Sequence, residues 1–554
     1  MILDYFPMRD KPRDGQSKAL SFIERMVREG VTDIIVEAPT GAGKSAIGAA
    51  CCYWSADWDQ LGVPGAELTT PGGYYLVTQK ELQRQIKDDV RINYARKDFA
   101  SLWSSASYMC DGGSGFRDVD DNGELCSMTC QTGMRSKVPK CDGRKNKTCP
   151  YLLDRDAFVA STFALTNYPF FLTERFFSGQ LPRRRIMILD ECHTVEKQLL
   201  KYGEVEISDK SLHECQIRSI STPEFDRVDD FVKWLDGVYL PVISDKLADE
   251  IKSANMAGDD VPPALAARIT FLQNQVRKTE GCISGVRTNP SRWVYWCDQT
   301  ENEGNICYCK PLDASPFMRL LSEGAAFRVY MSAFPGEKKT FCESLGLDHE
   351  AVARIRVPST FPKENRPILI AGVGSMSRKY QSTTLPAVTR TIAKVFEKHK
   401  DQKGLIHCHS YDIGKAIYAA LKSTGHGDRI LFPTKAEDRE SAVKTHKESS
   451  LPTVLISPSI TEGFDFKGDT GRWQVIAKIP YPYLGDRQVE AKRDISQEWY
   501  DLQTIMTIVQ SAGRICRSED DWGITYIMDD DFKRLYEKRG GFFPSWFKDA
   551  VVWA

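Results

Sequence analysis

The sequence predicts an α/β chain with a doubly wound parallel sheet and a second half that repeats the same layout. Three observations predict it. An apolar run, Asp33-Ile-Ile-Val-Glu37, reads as a buried parallel strand and leads into a glycine-bearing turn and an Ala-rich helix, Ser45 to Trp54. A second strand–helix unit follows it, from Gly72 to Gln79 with a helix opening at Leu82. Beyond residue 363 the strand–helix rhythm starts again, with Gly404 to Ser410 as a strand and Asp412 to Leu421 as a helix. A length of 554 residues leaves room for about three or four domains.

Composition narrows the function classes. Net charge is −1, so the chain is no polycation, and any nucleic-acid site must be a local patch or channel. No run of eighteen apolar residues occurs, and the first residues lack the basic-then-apolar layout of a signal peptide. A cytosolic protein without a membrane span is therefore expected. Its 16 cysteines are then expected not to form disulfides, and clustered ones become metal-ligand candidates.

In chain order, a helical pattern (Ala19, Phe22, Ile23, Met26, Val27) begins near Gln16, whose amide can both donate to and accept from an adenine edge. The turn that follows the first strand is Ala38, Pro39, Thr40, Gly41, Ala42, Gly43, Lys44 and Ser45. Strand, Gly-rich turn, Lys-Ser and helix make a phosphate-binding loop. Gly41 and Gly43 let backbone N–H groups converge on an anion, Lys44 reaches the β- and γ-phosphates, and Ser45 ligates Mg²⁺.

From Cys110 to Cys149 glycines, charges and the five cysteines Cys110, Cys126, Cys130, Cys141 and Cys149 replace periodic apolar residues. Such an insertion is stabilised by metal rather than by a core. Phe158 to Thr162 is read as a strand, followed by a helix around Phe170. Then Arg183 to Asp190 is an apolar strand ending in two carboxylates, the Walker B arrangement. Asp190 would hold Mg²⁺ and Glu191 would orient or deprotonate water.

Residues 205–300 are mainly helical and read as an inserted domain, closed by a hairpin of Trp293 to Cys297 and Ile306 to Cys309. Cys297, Cys307 and Cys309 are expected to pack the hairpin rather than bind metal. Phe327 to Pro335 is a strand ending in Ser332-Ala333, and Ser359 to Arg366 crosses into the second half. There, Gln510, Arg514 and Arg517 follow at spacings of four and three, which on a helix places them on one face. Two guanidiniums on one face need an anion, and a γ-phosphate from a facing domain would serve.

These motifs, Ala38 to Ser45, Asp190-Glu-Cys-His193, Ser332-Ala333, Glu462-Gly-Phe-Asp465 and Gln510 to Arg517, resemble those of superfamily 2 helicases. The cysteine insertion, closed by Cys149-Pro-Tyr151, and the Phe361 to Arg366 crossing resemble the XPD/DinG branch. The resemblance implies two RecA-like motor domains with ATP between them, and an Fe–S insertion and a helical arch insertion in the first. The implied division is 1–103, 151–204 and 301–362 for the first motor domain, 104–150 for the cluster domain, 205–300 for the arch and 363–554 for the second motor domain. It adds Asp465 to the nucleotide-binding set. It also implies a [4Fe–4S] cluster on Cys110, Cys126, Cys130 and Cys149, with Cys141 as alternate; zinc accepts four thiolates too.

The expected activity is ATP-dependent DNA unwinding, 5′ to 3′ along single-stranded DNA, by a monomer in repair, replication or recombination. Single-stranded DNA, its junctions with duplex and DNA/RNA hybrids are the expected partners, in a bacterial or viral-host cytosol, or in a nucleus if the source is eukaryotic. Thr78, Ser410 and Ser459 would hold the phosphate backbone, and the basic residues around Cys141 the duplex junction. The rival reading is an ATPase that translocates on RNA or acts as a non-unwinding switch. Two positions depart from the family pattern: Cys192 replaces the alanine of Asp-Glu-Ala-His, and Phe334 replaces the threonine of Ser-Ala-Thr.

Overall fold

The computed structural model describes the chain apart from residues 64–66, 97, 105–106, 109–117, 120–124, 127–148, 180, 258–261, 424, 426, 436–437, 459–465 and 554, with side chains also left out at 118–119, 125–126, 177–178 and 263. Two seven-stranded sheets, parallel throughout, dominate it. The α/β class and the repeat of its layout in the second half are as the sequence predicts.

In the first sheet the strands run, edge to edge, 353–356, 33–37, 325–332, 184–190, 70–77, 163–167 and 99–101. The register sets Glu37 beside Ser332 and Met331 beside Asp190. The tips that carry the glycine loop, Ser332 and the acidic pair therefore emerge side by side at the carboxyl edge, where open α/β sheets bind ligands. The strand Asp33–Glu37 is buried along its whole length, which explains its apolar run. Its two acids are exceptions that carry partners. Asp33 takes a two-pronged ion pair from Arg328, both N···O distances 2.7 Å, and Glu37 takes Arg354 and Arg356.

The second sheet runs 430–431, 454–457, 404–407, 473–476, 524–527, 368–370 and 551–553. Between the helix Val195–Gly203 and the strand Ala325–Ser332 lies a separate unit with its own apolar core. Helices Leu240–Ala257 and Pro263–Thr288 pack there on a three-stranded sheet of 205–208, 304–311 and 293–300. The hairpin falls where the sequence places it. The expected boundary at 300/301 lies inside it, so the chain returns to the first sheet only after Pro311.

Two further expectations fail here. Phe158 to Thr162 is not a strand: the helix Pro150–Ala160 runs through Phe158 and the strand begins at Phe163. The cause is tertiary. Buried Arg184 donates to the carbonyls of Phe158, Val159 and Ser161 at 2.6–2.8 Å, satisfying the helix end that local β-branched composition argued against. Nor are all cysteines thiols. Cys297 and Cys307 face each other across the hairpin with Cα atoms 4.3 Å apart and form a disulfide, because directly opposed positions bring the two sulfurs together. Cys309 stays a free, buried thiol. Among the described residues no helix is long and apolar enough to cross a membrane.

Candidate active site

A cleft of about 330 Å³ opens between the carboxyl edge of the first sheet and the chain following helix Gln497–Ala512 of the second half. Thr40, Gly41, Gly43, Lys44 and Ser45 line one side, Asp190, Glu191 and His193 the floor, and Gln510, Arg514 and Arg517 the opposite wall. Residues 470 positions apart in sequence thus meet at one site, of a size ordinary for a bound small molecule.

The loop takes its shape from two glycines in the left-handed region, Gly41 at φ 77° and Gly43 at φ 76°. A side chain at Gly41 would strike the Phe361 ring and the Arg517 carbonyl, and one at Gly43 would strike the Gln16 amide. Gln16 is buried against the loop. Its Oε1 accepts from the Arg13 backbone N–H at 2.9 Å, while Nε2 lies 3.5 Å from the Gly43 carbonyl. The helix Lys44–Ser55 starts at the end of the loop and directs its positive end into the cleft. Lys44 Nζ rests 3.5 Å from the Ala38 carbonyl. Pro39 and Ala42 complete the turn, the Ala42 N–H donating to the Pro39 carbonyl.

The two acids differ in environment. Asp190 Oδ2 accepts from Tyr75 Oη at 3.0 Å and Oδ1 from the Glu191 N–H at 3.0 Å. Burial, and then the neighbouring Glu191 charge, push the Asp190 carboxyl up to about 6. For Glu191 burial is again the largest influence and acts upward, but Lys44, His193, Arg514 and Arg517 together outweigh it and hold the carboxyl below its usual range. Glu191 also sits at φ 50°, a conformation costly for a residue with a Cβ. Its carboxylate lies 3.4 Å from His193 Nδ1 and 3.5 Å from Ser332 Oγ. His193 and Ser332 in turn approach to 3.0 Å.

The opposite wall is arranged differently from the expectation. Gln510, Arg514 and Arg517 do not share a helical face. The helix stops at Ala512 with Gly513 at its cap, and Cys516 at φ 64° turns the chain between the two arginines. The glycine that argues for a special helical position is instead the helix end, against Thr40 of the loop. The three side chains still converge on the cleft because Asp521 holds the turn: it accepts from the Arg517 N–H at 2.8 Å and pairs with Arg472. Burial lowers the Arg517 guanidinium to about 10, with Glu191 and Asp521 resisting; it stays charged at neutral pH. Gln510 Nε2 is buried in the wall without a hydrogen-bond partner, so the wall holds a donor ready for an incoming acceptor.

Thr78 lines this same cleft. Ser410 instead caps the helix Tyr411–Lys422, its Oγ accepting from the Ile413 N–H at 3.3 Å. Asp465, Ser459, Cys110, Cys130 and Cys141 lie outside the described residues, as do the Cys126 side chain and the basic residues around Cys141. Cys149 is a half-buried free thiol at the start of helix Pro150–Ala160. Among the described residues no group of three or more His, Cys, Asp or Glu could hold a metal ion. His407 and His409 line one further cavity without a third ligand. Sequence reasoning missed Tyr75, Asp521 and Trp546, which also lines the cleft. Tyr75 had a signal, a phenol two residues before the strand tip; the other two depend on chain reversals no pattern records.

Two families match the sequence: DEAD_2 over residues 115–212 and the helicase C-terminal domain over residues 392–550. The first spans the acidic pair and the second spans Gln510, Arg514 and Arg517. Over nearly the whole chain, 98%, the fold aligns with all of a solved XPD helicase at a TM-score of 0.59 and 16% identity. The two family matches support an XPD/DinG-like superfamily 2 helicase, and the structural alignment shows the fold of one.

A second solved structure of this XPD/DinG-like type, Xpd4 of S. tokodaii, aligns with 98% of the chain and 100% of its own at a TM-score of 0.57 and 13% identity. At these identities the likeness shows the fold. Among curated relatives, the ATP-dependent DNA helicase YoaA of Haemophilus influenzae is 22% identical over 300 residues, 52% of this chain and 44% of YoaA. The Fanconi anemia group J protein homolog of Gallus gallus is 28% identical over 120 residues, 20% of this chain and 10% of that protein. The matches thus span less than half the length of these relatives. In this chain the glycine loop, acidic pair and arginine turn occupy one cleft.

Proposed function

We propose that the chain is an ATP-driven DNA helicase that moves along single-stranded DNA, 5′ to 3′, and opens duplexes and DNA/RNA hybrids. The observation that carries this reading is the convergence of Lys44, the Asp190–Glu191 pair and the Arg514–Arg517 turn on one cleft between the two sheets. That donor set fits a magnesium-bound triphosphate: glycine-loop N–H groups and Lys44 for phosphate oxygens, Ser45 and Asp190 for the metal. Mg²⁺ there would neutralise charge on the β- and γ-phosphates. Glu191, held ionised with Lys44, Arg514 and Arg517 around it, orients the attacking water and accepts its proton. Arg514 and Arg517 meet charge developing on the transferred phosphoryl group, and Gln510 offers its unused N–H to the nucleotide. Gln16 reads the adenine edge.

Because the arginines belong to the second half, hydrolysis is felt across the cleft, and its closing and opening step the two halves along a phosphate backbone. In this reading residues 1–103, 151–204 and 312–362 form one motor domain and 363–554 the other, with the arch and cluster domains inserted in the first. Cys149, with three of Cys110, Cys126, Cys130 and Cys141, would hold a [4Fe–4S] cluster, which four soft thiolates suit. The protein acts as a cytosolic monomer in DNA repair.

The test is DNA-stimulated ATP hydrolysis. Lys44→Ala is expected to abolish it, and unchanged turnover would remove the assignment. Strand separation on 5′- and 3′-tailed DNA and RNA duplexes then distinguishes the helicase from an RNA translocase or a non-unwinding switch. Iron and sulfide analysis of anaerobically purified protein decides between the cluster and zinc.

A further inference from the structure

Phe334 stands where the family pattern has a threonine, and its surroundings belong to the other half of the molecule. Only 3% exposed, it lies in an apolar cluster with Leu502, Ile505, Met506 and Val509 of the helix Gln497–Ala512. Among the described residues, every other member of that cluster comes from residue 368 or later. Two positions on, Gly336 at φ 97° approaches Leu502 so closely that a Cβ there would come within 3.0 Å of its methyl group. The segment after the strand Ala325–Ser332 is thus seated on the helix that carries Gln510 and leads into Arg514.

The same segment touches the acids. The Phe334 N–H donates to Ser332 Oγ at 3.2 Å, and Ser332 Oγ lies 3.0 Å from His193 and 3.5 Å from Glu191. From the Glu191 carboxylate to the opposing helix there are therefore two steps: one hydroxyl and one buried ring. A threonine could not span them, since its side chain ends well short of a phenyl ring's reach.

We propose that Phe334 is a positioning residue, an apolar clasp that locks the Gln510–Arg514 segment at a fixed distance from Glu191 and so sets the rate of the hydrolytic step. This rests on the ATPase reading above. A residue that merely filled a core would be surrounded by its own half. This one is the first half's contribution to the other half's core, and it is hydrogen-bonded through its backbone to the group that contacts the catalytic acid. Packing interiors transmit displacement because they have little free volume, so loosening the clasp lets the arginine turn drift from its working distance, and small misplacements are costly in rate.

The experiment compares steady-state ATP hydrolysis by the full chain with single-stranded DNA for wild type, Phe334→Ala, Phe334→Leu, Leu502→Ala and the Phe334→Ala/Leu502→Ala pair. Phe334→Ala is expected to lower kcat at least tenfold while KM for ATP stays within about twofold, since the glycine loop is untouched. Phe334→Leu should recover most of the loss. The double variant should be no slower than the slower single one, because both changes open the same joint. A kcat within twofold of wild type for Phe334→Ala overturns the clasp, as do losses that multiply in the double variant. Should Phe334→Ala fail to fold by circular dichroism, Phe334→Leu and Leu502→Ala decide alone: equal losses in kcat and in affinity for ATP would mark a general structural defect and overturn it. A wild-type chain without ATPase activity removes the function reading itself, and the clasp with it.

Discussion

The strands of the first sheet take full charges out of water, alongside neutral groups such as Asn167 and Ser332; among the described residues, the buried polar groups on the strands of the second are all neutral: His407, Ser457, Gln474 and Thr525. Asp33 meets Arg328 within the sheet, and Glu37 meets Arg354 and Arg356 at its carboxyl end. Buried Arg184 and Arg185 spend their donors mainly on backbone carbonyls. Across the cleft His407 Nε2 faces Gln474 Oε1 at 3.1 Å, and that amide donates to Thr525 at 2.9 Å. His446 lies between Thr453 Oγ1 at 2.9 Å and the Thr470 carbonyl at 2.8 Å. Burial drives His407, His409 and His446 down to about 4, so all three are uncharged at neutral pH. The difference follows from what each half presents to the cleft. The first half must hold two carboxylates together, and its ion pairs tie together the strands 33–37, 325–332 and 353–356 next to the strand that bears them. The second half presents cations, and a charged His407 behind Arg514 would compete with that role, as the repulsion between the two already indicates. Neutral groups behind the arginine turn leave its charge for the anion in front.

The sharpest way to break this contrast is to remove those cations. Arg514→Ala and Arg517→Ala should each lower DNA-stimulated ATP turnover by about 10³-fold or more, the range measured for transition-state arginines in other phosphoryl-transfer enzymes. Lysine in either place should restore only part, since it lacks the planar fork. A loss below tenfold for either variant would mean the second half does not take part in the chemistry.

The next effect belongs to the first half. Arg328→Met leaves Asp33 buried and unpaired, which should cost about 3–5 kcal/mol of unfolding free energy. Adding Asp33→Asn should recover much of it, because the uncompensated charge and not the lost pair is the main penalty. Denaturant titration of the two variants against wild type measures both. A single variant within 1 kcal/mol of wild type would show that the buried pair does not anchor the strand.

How far the sequence carried this picture depends on whether a feature is written locally. The strand Asp33–Glu37, the loop to Ser45 and the acidic strand to Asp190 were legible because burial on both faces writes an unbroken apolar run, and the turn after it needs glycine at set positions. The convergence of Arg514 and Arg517 was legible in outcome though not in geometry: spacings of four and three fit a helix, yet Gly513 ends that helix and Asp521 builds the turn instead. Phe158 to Thr162 misled because its strand-like composition was overruled by Arg184, whose hydrogen bonds reach back 23 to 26 residues. The Cys297–Cys307 disulfide was hidden by an argument from compartment, whereas hairpin register decides which sulfurs meet. Tertiary partners of this kind leave no periodic trace.

The smallest effect separates the halves by acid. His446 has a folded pKa of about 4 against an ordinary 6.5, held down by burial first and by nearby Lys403 and Lys447, with the Thr470 carbonyl acting the other way. Its folded value lies below its unfolded one, so the unfolded chain binds the extra proton, and stability is full above about 6.5 and falls as pH drops toward 4. Between pH 7 and 5 this single ring should cost about 2 kcal/mol. Asp33, whose carboxyl is also buried but is held below its usual range by Arg328, loses its contribution only under much stronger acid. The second half should therefore loosen first as pH falls from 7 to 5, with the first sheet still intact. Hydrogen exchange at the two pH values, corrected for intrinsic rates, reads this directly: amides of 454–457 and 473–476 should lose protection while those of 33–37 and 325–332 keep it. His446→Gln, which keeps a hydrogen-bonding group but no titration, should flatten about 2 kcal/mol of that slope. An equal loss of protection in both sheets, or an unchanged slope in the variant, would mean that the neutral histidines do not set the acid limit of the second half.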